Sequence, residues 1–106
     1  MEILPQELAA RINSSDVPKL LDVREPEEHE LAALPNSKLI PLGQLSVRAS
    51  EISSWKSDEI VVYCHHGIRS RHAIQFLQQL GFERLLNLSG GIDQWSVQID
   101  PTVPRY

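Results

Sequence analysis

The sequence predicts one α/β domain, residues 1–106, built around a mainly parallel sheet. Short β-prone runs alternate with segments of helical period along the chain, the pattern that lays helices over a parallel sheet. A length of 106 residues suits a single core that needs no staple. Apolar residues at 42% and charged residues at 23% are ordinary proportions for a globular protein.

Ile3-Leu4 reads as a short edge strand before Pro5. Pro5 suits a first helical turn, and Leu8, Ala9 and Ile12 then recur on one face to about Asn13. Lys19 to Val23 reads as a buried strand ending at Arg24. Glu25-Pro26-Glu27-Glu28 begins a short helix whose acids suit the positive helix end. Lys38-Leu39-Ile40 is a short strand stopped by Pro41, and Leu42, Leu45 and Val47 to Ile52 predict one or two short helices. Ile60 to Tyr63 is the clearest strand. Arg71 to Leu80 is the clearest helix, with Ala73, Ile74, Leu77 and Leu80 on one face and Gly81 as its stop. Leu85 to Leu88 is a further strand, and Gly90-Gly91 turns into a last helix through Ile92, Trp95 and Val97. Residues 100–106 read as an irregular tail.

A net charge of −4 gives the molecule no electrostatic reason to seek nucleic acid or an anionic membrane. Its charge is uneven. Asp22, Glu25, Glu27, Glu28 and Glu30 form an acidic cluster, of which the run Glu25 to Glu30, with His29 in it, reads as a solvated face or a surface for a partner. Ile60 to Phe82 holds no acid, while Arg69, Arg71, His65, His66 and His72 fall there, which predicts a basic field around Cys64. The one cysteine excludes an intrachain disulfide and fits a reducing, usually cytoplasmic, compartment. The first residues lack the basic and apolar regions of a signal peptide, and no apolar run has membrane-spanning length.

Cys64 carries the functional reading. It stands where the strand Ile60 to Tyr63 turns toward the following helix. Such ends of parallel strands are where ligands bind, and Arg24 and Gly90 follow other strands, which makes both candidates to approach Cys64. The unpaired N–H groups of a helix start favour an anion, here a thiolate or a group attached to it. The plain alternative is a small hydrophobe buried after a core strand.

The segment Cys64-His65-His66-Gly67-Ile68-Arg69-Ser70 resembles the active-site loop of rhodanese-like sulfurtransferases. Leu20 to Glu28 is similar to the family's early Asp-Val-Arg-Glu signature, and Asn36 to Leu42 resembles its next block, a short strand closed by proline. Leu88-Ser89-Gly90-Gly91-Ile92-Asp93-Gln94-Trp95 is similar to its late Gly-Gly-x-x-x-Trp signature. Ile99 to Tyr106 resembles the tails of rhodanese domains fused to sulfur-carrier-activating enzymes.

The resemblance implies a rhodanese-like three-layer domain, a five-stranded parallel sheet with helices on both faces. It implies a cysteine that carries sulfane sulfur as a persulfide. A thiosulfate-like or persulfide donor would load Cys64, and a thiol, cyanide or a sulfur-carrier protein would unload it. No cofactor is implied. The residue types suit this chemistry. The amides from His65 to Ser70 offer a cradle for thiolate or persulfide, and Gly67 permits the backbone it needs. Arg69 is the candidate contact for a donor oxyanion, and Ser70 suits a helix cap or a hydrogen bond to the persulfide.

Other residues weigh toward plainer roles. Asp22 and Arg24 read as a buried structural pair, with support of the site as the alternative. Arg71 reads equally as exposed or as a substrate-entry residue. Adjacent His65 and His66 lack the spacing that converges on one metal, so no metal site is expected. Trp95 reads as core, His72 as surface or helix packing, and Gly90-Gly91 as a tight turn.

Two competing functions remain. A partner-binding or sulfur-relay module would keep the fold while using the site for a protein. A phosphatase or arsenate reductase would resemble the family phosphatases, whose loop is one residue longer and places arginine six positions after cysteine. Here that position is Ser70, arginine falls at five, and no second thiol is present for arsenate reduction.

Overall fold

The computed structural model describes residues 1–106. Its five strands are β1 (Glu2–Ile3), β2 (Lys19–Asp22), β3 (Lys38–Leu39), β4 (Glu59–Tyr63) and β5 (Arg84–Leu88). They form one sheet in the order β1-β5-β4-β2-β3, with every neighbouring pair parallel. The helices are α1 (Pro5–Ile12), α2 (Pro26–Leu31), α3 (Leu45–Arg48), α4 (Ile68–Gln79) and α5 (Gly91–Gln98), with 3-10 turns at Leu42–Gln44 and Ala49–Trp55.

Strand alternation sends successive β4 side chains to opposite faces. Ile60, Val62 and Cys64 join Leu21, Val23, Leu45, Ala73, Ile74 and Leu77 in one core beneath α3 and α4. Val61 and Tyr63 join Leu20, Leu8, Ile92 and Trp95 in a second core beneath α1 and α5. A sheet buried on both faces explains why Ile60 to Tyr63 is apolar at every position. Parallel pairing also puts the ends of β2 and β4 side by side, Asp22 opposite Tyr63. The strand order reverses between them, and the crevice there is where such sheets bind ligands.

Several boundaries differ from the sequence reading. Helix α4 begins at Ile68, three residues before the expected Arg71, because Gly67 takes a left-handed conformation (φ 108°) and serves as its N-cap. Ser70 therefore lies inside the first turn and does not cap the helix. Leu80 falls past the last turn and is 40% exposed, so it does not complete the apolar face. The stretch 42–55 breaks into three short pieces.

Acidic residues in the first turn of α2 were expected to face solvent. Glu28 instead accepts the backbone N–H of Glu25 at 3.0 Å, closing the helix start. His29 places Nδ1 2.8 Å from Asp22 Oδ2, so it is half-buried against the sheet end.

The end of β2 is tied by a fully buried ion pair. Arg24 donates from Nε to Asp22 Oδ1 at 2.9 Å and from Nη2 to Asp22 Oδ2 at 2.7 Å. It also donates to the Ala32 carbonyl at 2.5 Å and from Nη1 to the Tyr106 hydroxyl at 2.7 Å. The backbone N–H of Arg24 closes on Asp22 Oδ1 at 3.0 Å. Burial disfavours the charge on Arg24, but hydrogen bonds to Asp22 and Tyr106 outweigh it and hold the guanidinium more firmly protonated than an ordinary one. Asp22→Ala leaves that cation buried and unpaired, and should cost about 3–5 kcal/mol of stability in a denaturant titration. A loss under about 1 kcal/mol would show that the pair is not a structural anchor.

Candidate active site

The loop between β4 and α4 is shaped from behind by α5. The N–H of Ile92 donates to the Cys64 carbonyl at 2.9 Å, and that of Asp93 to the His65 carbonyl at 3.1 Å. Gly91, itself left-handed at φ 63°, makes this approach feasible. A Cβ there would sit against the carbonyl oxygens of His65 and Cys64. The Gly90-Gly91 pair is thus the turn that seats α5 on the loop.

Cys64 is 1% exposed, and its sulfur faces hydrogen-bond donors. The Gly67 N–H points at Sγ from 3.0 Å, and Ser70 Oγ lies 3.4 Å away. Burial pushes the thiol up, but hydrogen bonds from the Ser70 hydroxyl and from the N–H groups of Ser70, Gly67 and His66 outweigh it. The net result holds Cys64 below an ordinary thiol and favours the thiolate. Such a buried sulfur is a stabilised anion site, not an inert hydrophobe.

Behind the sulfur lies a residue that sequence reading passed over. Asn87, 1% exposed on β5, donates from Nδ2 to the Gly67 carbonyl at 3.2 Å and to Glu2 Oε2 at 3.0 Å. Its Oδ1 therefore turns to Ser70 and accepts the hydroxyl proton. Ser70 has one proton and two claimants. With Cys64 as a thiol, the proton goes to Asn87 and the Ser70 oxygen is open to the S–H. With Cys64 ionised, the proton swings to the sulfur. A polar residue within an apolar, buried strand was the signal that could have found Asn87.

The mouth above Cys64 is a shallow cavity of about 150 Å³ lined by Cys64, His65, His66, Ile68 and Arg69. Arg69 reaches it but is not unpaired. Its Nη1 and Nη2 grip Glu28 at 2.6 and 2.9 Å. Arg71 is mostly exposed, with Nε 3.6 Å from Glu2 Oε2. Arg24 is spent on Asp22. The basic field expected around Cys64 is therefore muted: Arg69 and Arg71 each face an acid distant in sequence, Glu28 and Glu2, which the fold brings to the same end of the sheet.

The tail is irregular, as expected, and is fastened beside this mouth. Arg105 pairs with Asp93 at 2.9 Å, and the Tyr106 ring stacks on His65 with centroids 4.0 Å apart. The Tyr106 hydroxyl is pushed up to about 12, by burial and Glu28 against Arg24, and donates to Glu28 Oε2 at 2.7 Å. His65 is also stacked on His66, with its Nε2 buried without a partner. Burial and His66 hold it below an ordinary imidazole, so its ring is neutral. His72 is exposed on the helix, and Trp95 is buried in the second core.

Comparison with known proteins meets this geometry. The model of the rhodanese-like domain matches residues 4–98. The chain belongs to the rhodanese-like family. A protein named sulfurtransferase from Allochromatium vinosum is 36% identical over 95 residues, covering 90% of this chain and 87% of that protein. The putative sulfur carrier protein YrkF of Bacillus subtilis is also 36% identical, over 90% of this chain but 50% of its own length. The chain spans half or less of the length of several curated relatives it matches. Among solved structures, a rhodanese-related protein from Thermoplasma volcanium superposes with a TM-score of 0.79 at 32% identity, covering 97% of this chain and 94% of that one. No helix of this rhodanese-like chain is long and apolar enough to cross a membrane.

Two measurements check the site. Ser70→Ala removes a donor to the anion, so the pH midpoint of Cys64 alkylation should move up and alkylation at neutral pH should slow several-fold. No movement would assign the cradle to backbone N–H groups alone. Glu28 is pulled from an ordinary 4.5 down to about 2, chiefly by Arg69. Its pairing stabilises the fold above pH 4.5 and is lost as pH falls toward about 2. Acid unfolding of Glu28→Gln should therefore show a shallower pH slope in that window than wild type.

Proposed function

We propose that this rhodanese-like chain is a sulfurtransferase in which Cys64 carries the transferred sulfur. One observation bears most of the weight: a buried sulfur ringed by N–H and O–H donors, with its ionisation favoured despite burial. That environment suits a thiolate nucleophile and, one atom further out, the anion of a persulfide. The thiolate attacks the sulfane sulfur of R–S–SH or of thiosulfate. A Cys64 S–S bond forms, the donor's S–S bond breaks, and its electron pair leaves on R–S⁻ or sulfite. An acceptor thiolate or cyanide then attacks the outer sulfur and returns Cys64 as thiolate. Arg24 and Asp22 support the reading by fixing the neighbouring strand end; Arg71, exposed beside Glu2, is proposed only as a residue on the route by which substrate enters. The sulfurtransferase name of one relative agrees in kind.

A sulfur relay to a protein acceptor is the second reading. The name of the relative YrkF, a putative sulfur carrier protein, favours it, as does the exposure of Ile68 beside the mouth. Both readings share the Cys64 persulfide. The loop of five residues between Cys64 and Ser70 argues against phosphoryl chemistry, because it leaves less room around the nucleophile than a loop with one residue more.

Mass measurement after exposure to thiosulfate or to an alkyl persulfide tests the shared step. Wild type should gain one sulfur, about 32 Da, at Cys64 and lose it to cyanide or a thiol, while Cys64→Ser should gain none. Equal turnover by the two proteins would refute the proposal.

A further inference from the structure

The further inference rests on the persulfide reading and concerns which donors reach Cys64. Arg69 is the arginine lining the cavity, and both of its terminal nitrogens already hold Glu28. Glu28 is held in turn. Oε1 accepts the Glu25 N–H at 3.0 Å, and Oε2 accepts the Tyr106 hydroxyl at 2.7 Å. Tyr106 is fixed by Arg24 Nη1 at 2.7 Å and by its ring on His65. The carboxylate thus receives four hydrogen bonds from three residues, and it presents Arg69 to the cavity with its charge cancelled. Bidentate pairs of this kind are among the strongest polar contacts in proteins.

Donors differ in what they ask of such a mouth. Thiosulfate brings two negative charges toward a thiolate, and the sulfite that leaves carries two away. A persulfide R–S–SH brings at most one, and one leaves on R–S⁻. Like charges brought together in a poorly solvated site repel unless a cation answers them. We infer that Glu28, held by Tyr106, is the specificity-determining residue of the site: it masks Arg69 and selects persulfide donors of low charge over small dianionic donors. Glu28 and Tyr106 act through Arg69 and touch no reacting atom, so both are positioning residues.

The experiment follows sulfur loading of Cys64 by mass, with thiosulfate and a persulfide whose alkyl group carries no charge as donors. Wild type should favour the persulfide. Glu28→Gln should lower KM for thiosulfate and move the thiosulfate-to-persulfide selectivity ratio about tenfold toward thiosulfate, the scale of one charge-assisted hydrogen bond. Tyr106→Phe keeps the ring and removes the hydroxyl, so it should move the ratio the same way by less. It also serves as the test if Glu28→Gln does not fold. In Glu28→Gln/Arg69→Gln the gain should vanish, since no cation remains to unmask. A thiosulfate KM unchanged or raised in both single variants overturns the inference, because Glu28 would then be holding Arg69 ready for an anion. Absence of loading from either donor in wild type is a different result. It defeats the persulfide reading itself.

Discussion

A sulfur atom that must ionise has been placed where water does not reach it, and much of the local architecture answers that constraint. A thiolate at 1% exposure survives only if donors replace the lost solvent. Gly67 bends left-handed so that its N–H joins those of His66 and Ser70 around Sγ. Gly91 lacks the Cβ that would hold α5 away from the loop's carbonyls. Asn87 holds the Gly67 carbonyl from below and keeps Ser70 beside the sulfur. Each residue here is chosen by what the sulfur needs, at some cost to local regularity.

A second polar network runs beside the first. Asp22, Arg24, Tyr106, Glu28 and Arg69 follow one another in space, carboxylates and guanidinia alternating around one phenol. It binds the end of β2, the start of α2, the tail and the Cys64 loop into one rim. Its charges nearly cancel, so the rim orders the mouth without giving it a strong sign. The sulfur therefore draws its anion stabilisation from dipoles of the loop rather than from a nearby unpaired cation, a source that salt screens weakly.

Legibility followed the range of the interactions. The strand of β4, the helix that follows Cys64 and the loop between them were readable because each depends on neighbours in the chain. So was the Asp22–Arg24 pair, two residues apart at a buried strand end. The start of α4 was misplaced by three residues because a left-handed glycine, not a serine, caps it. Leu80 was assigned to the apolar face although the helix ends before it. Glu28 and His29 looked solvated within an acidic run, since nothing in a run of acids says which of them turns inward.

By itself, the sequence determined the alternation of strands and helices, the position of Cys64 at a strand end, and the order of motifs that shows the family. These are encoded in periodicity and in short contiguous patterns. Only the tertiary structure decided the electrostatics of the site. Glu28 lies 41 residues from Arg69, Asn87 lies 17 from Ser70, and Tyr106 lies 82 from Arg24. Parallel pairing brings these separate strand ends to one edge of the sheet. There an arginine counted as a free charge in the chain meets a carboxylate, and the basic field expected around the sulfur is cancelled by that meeting.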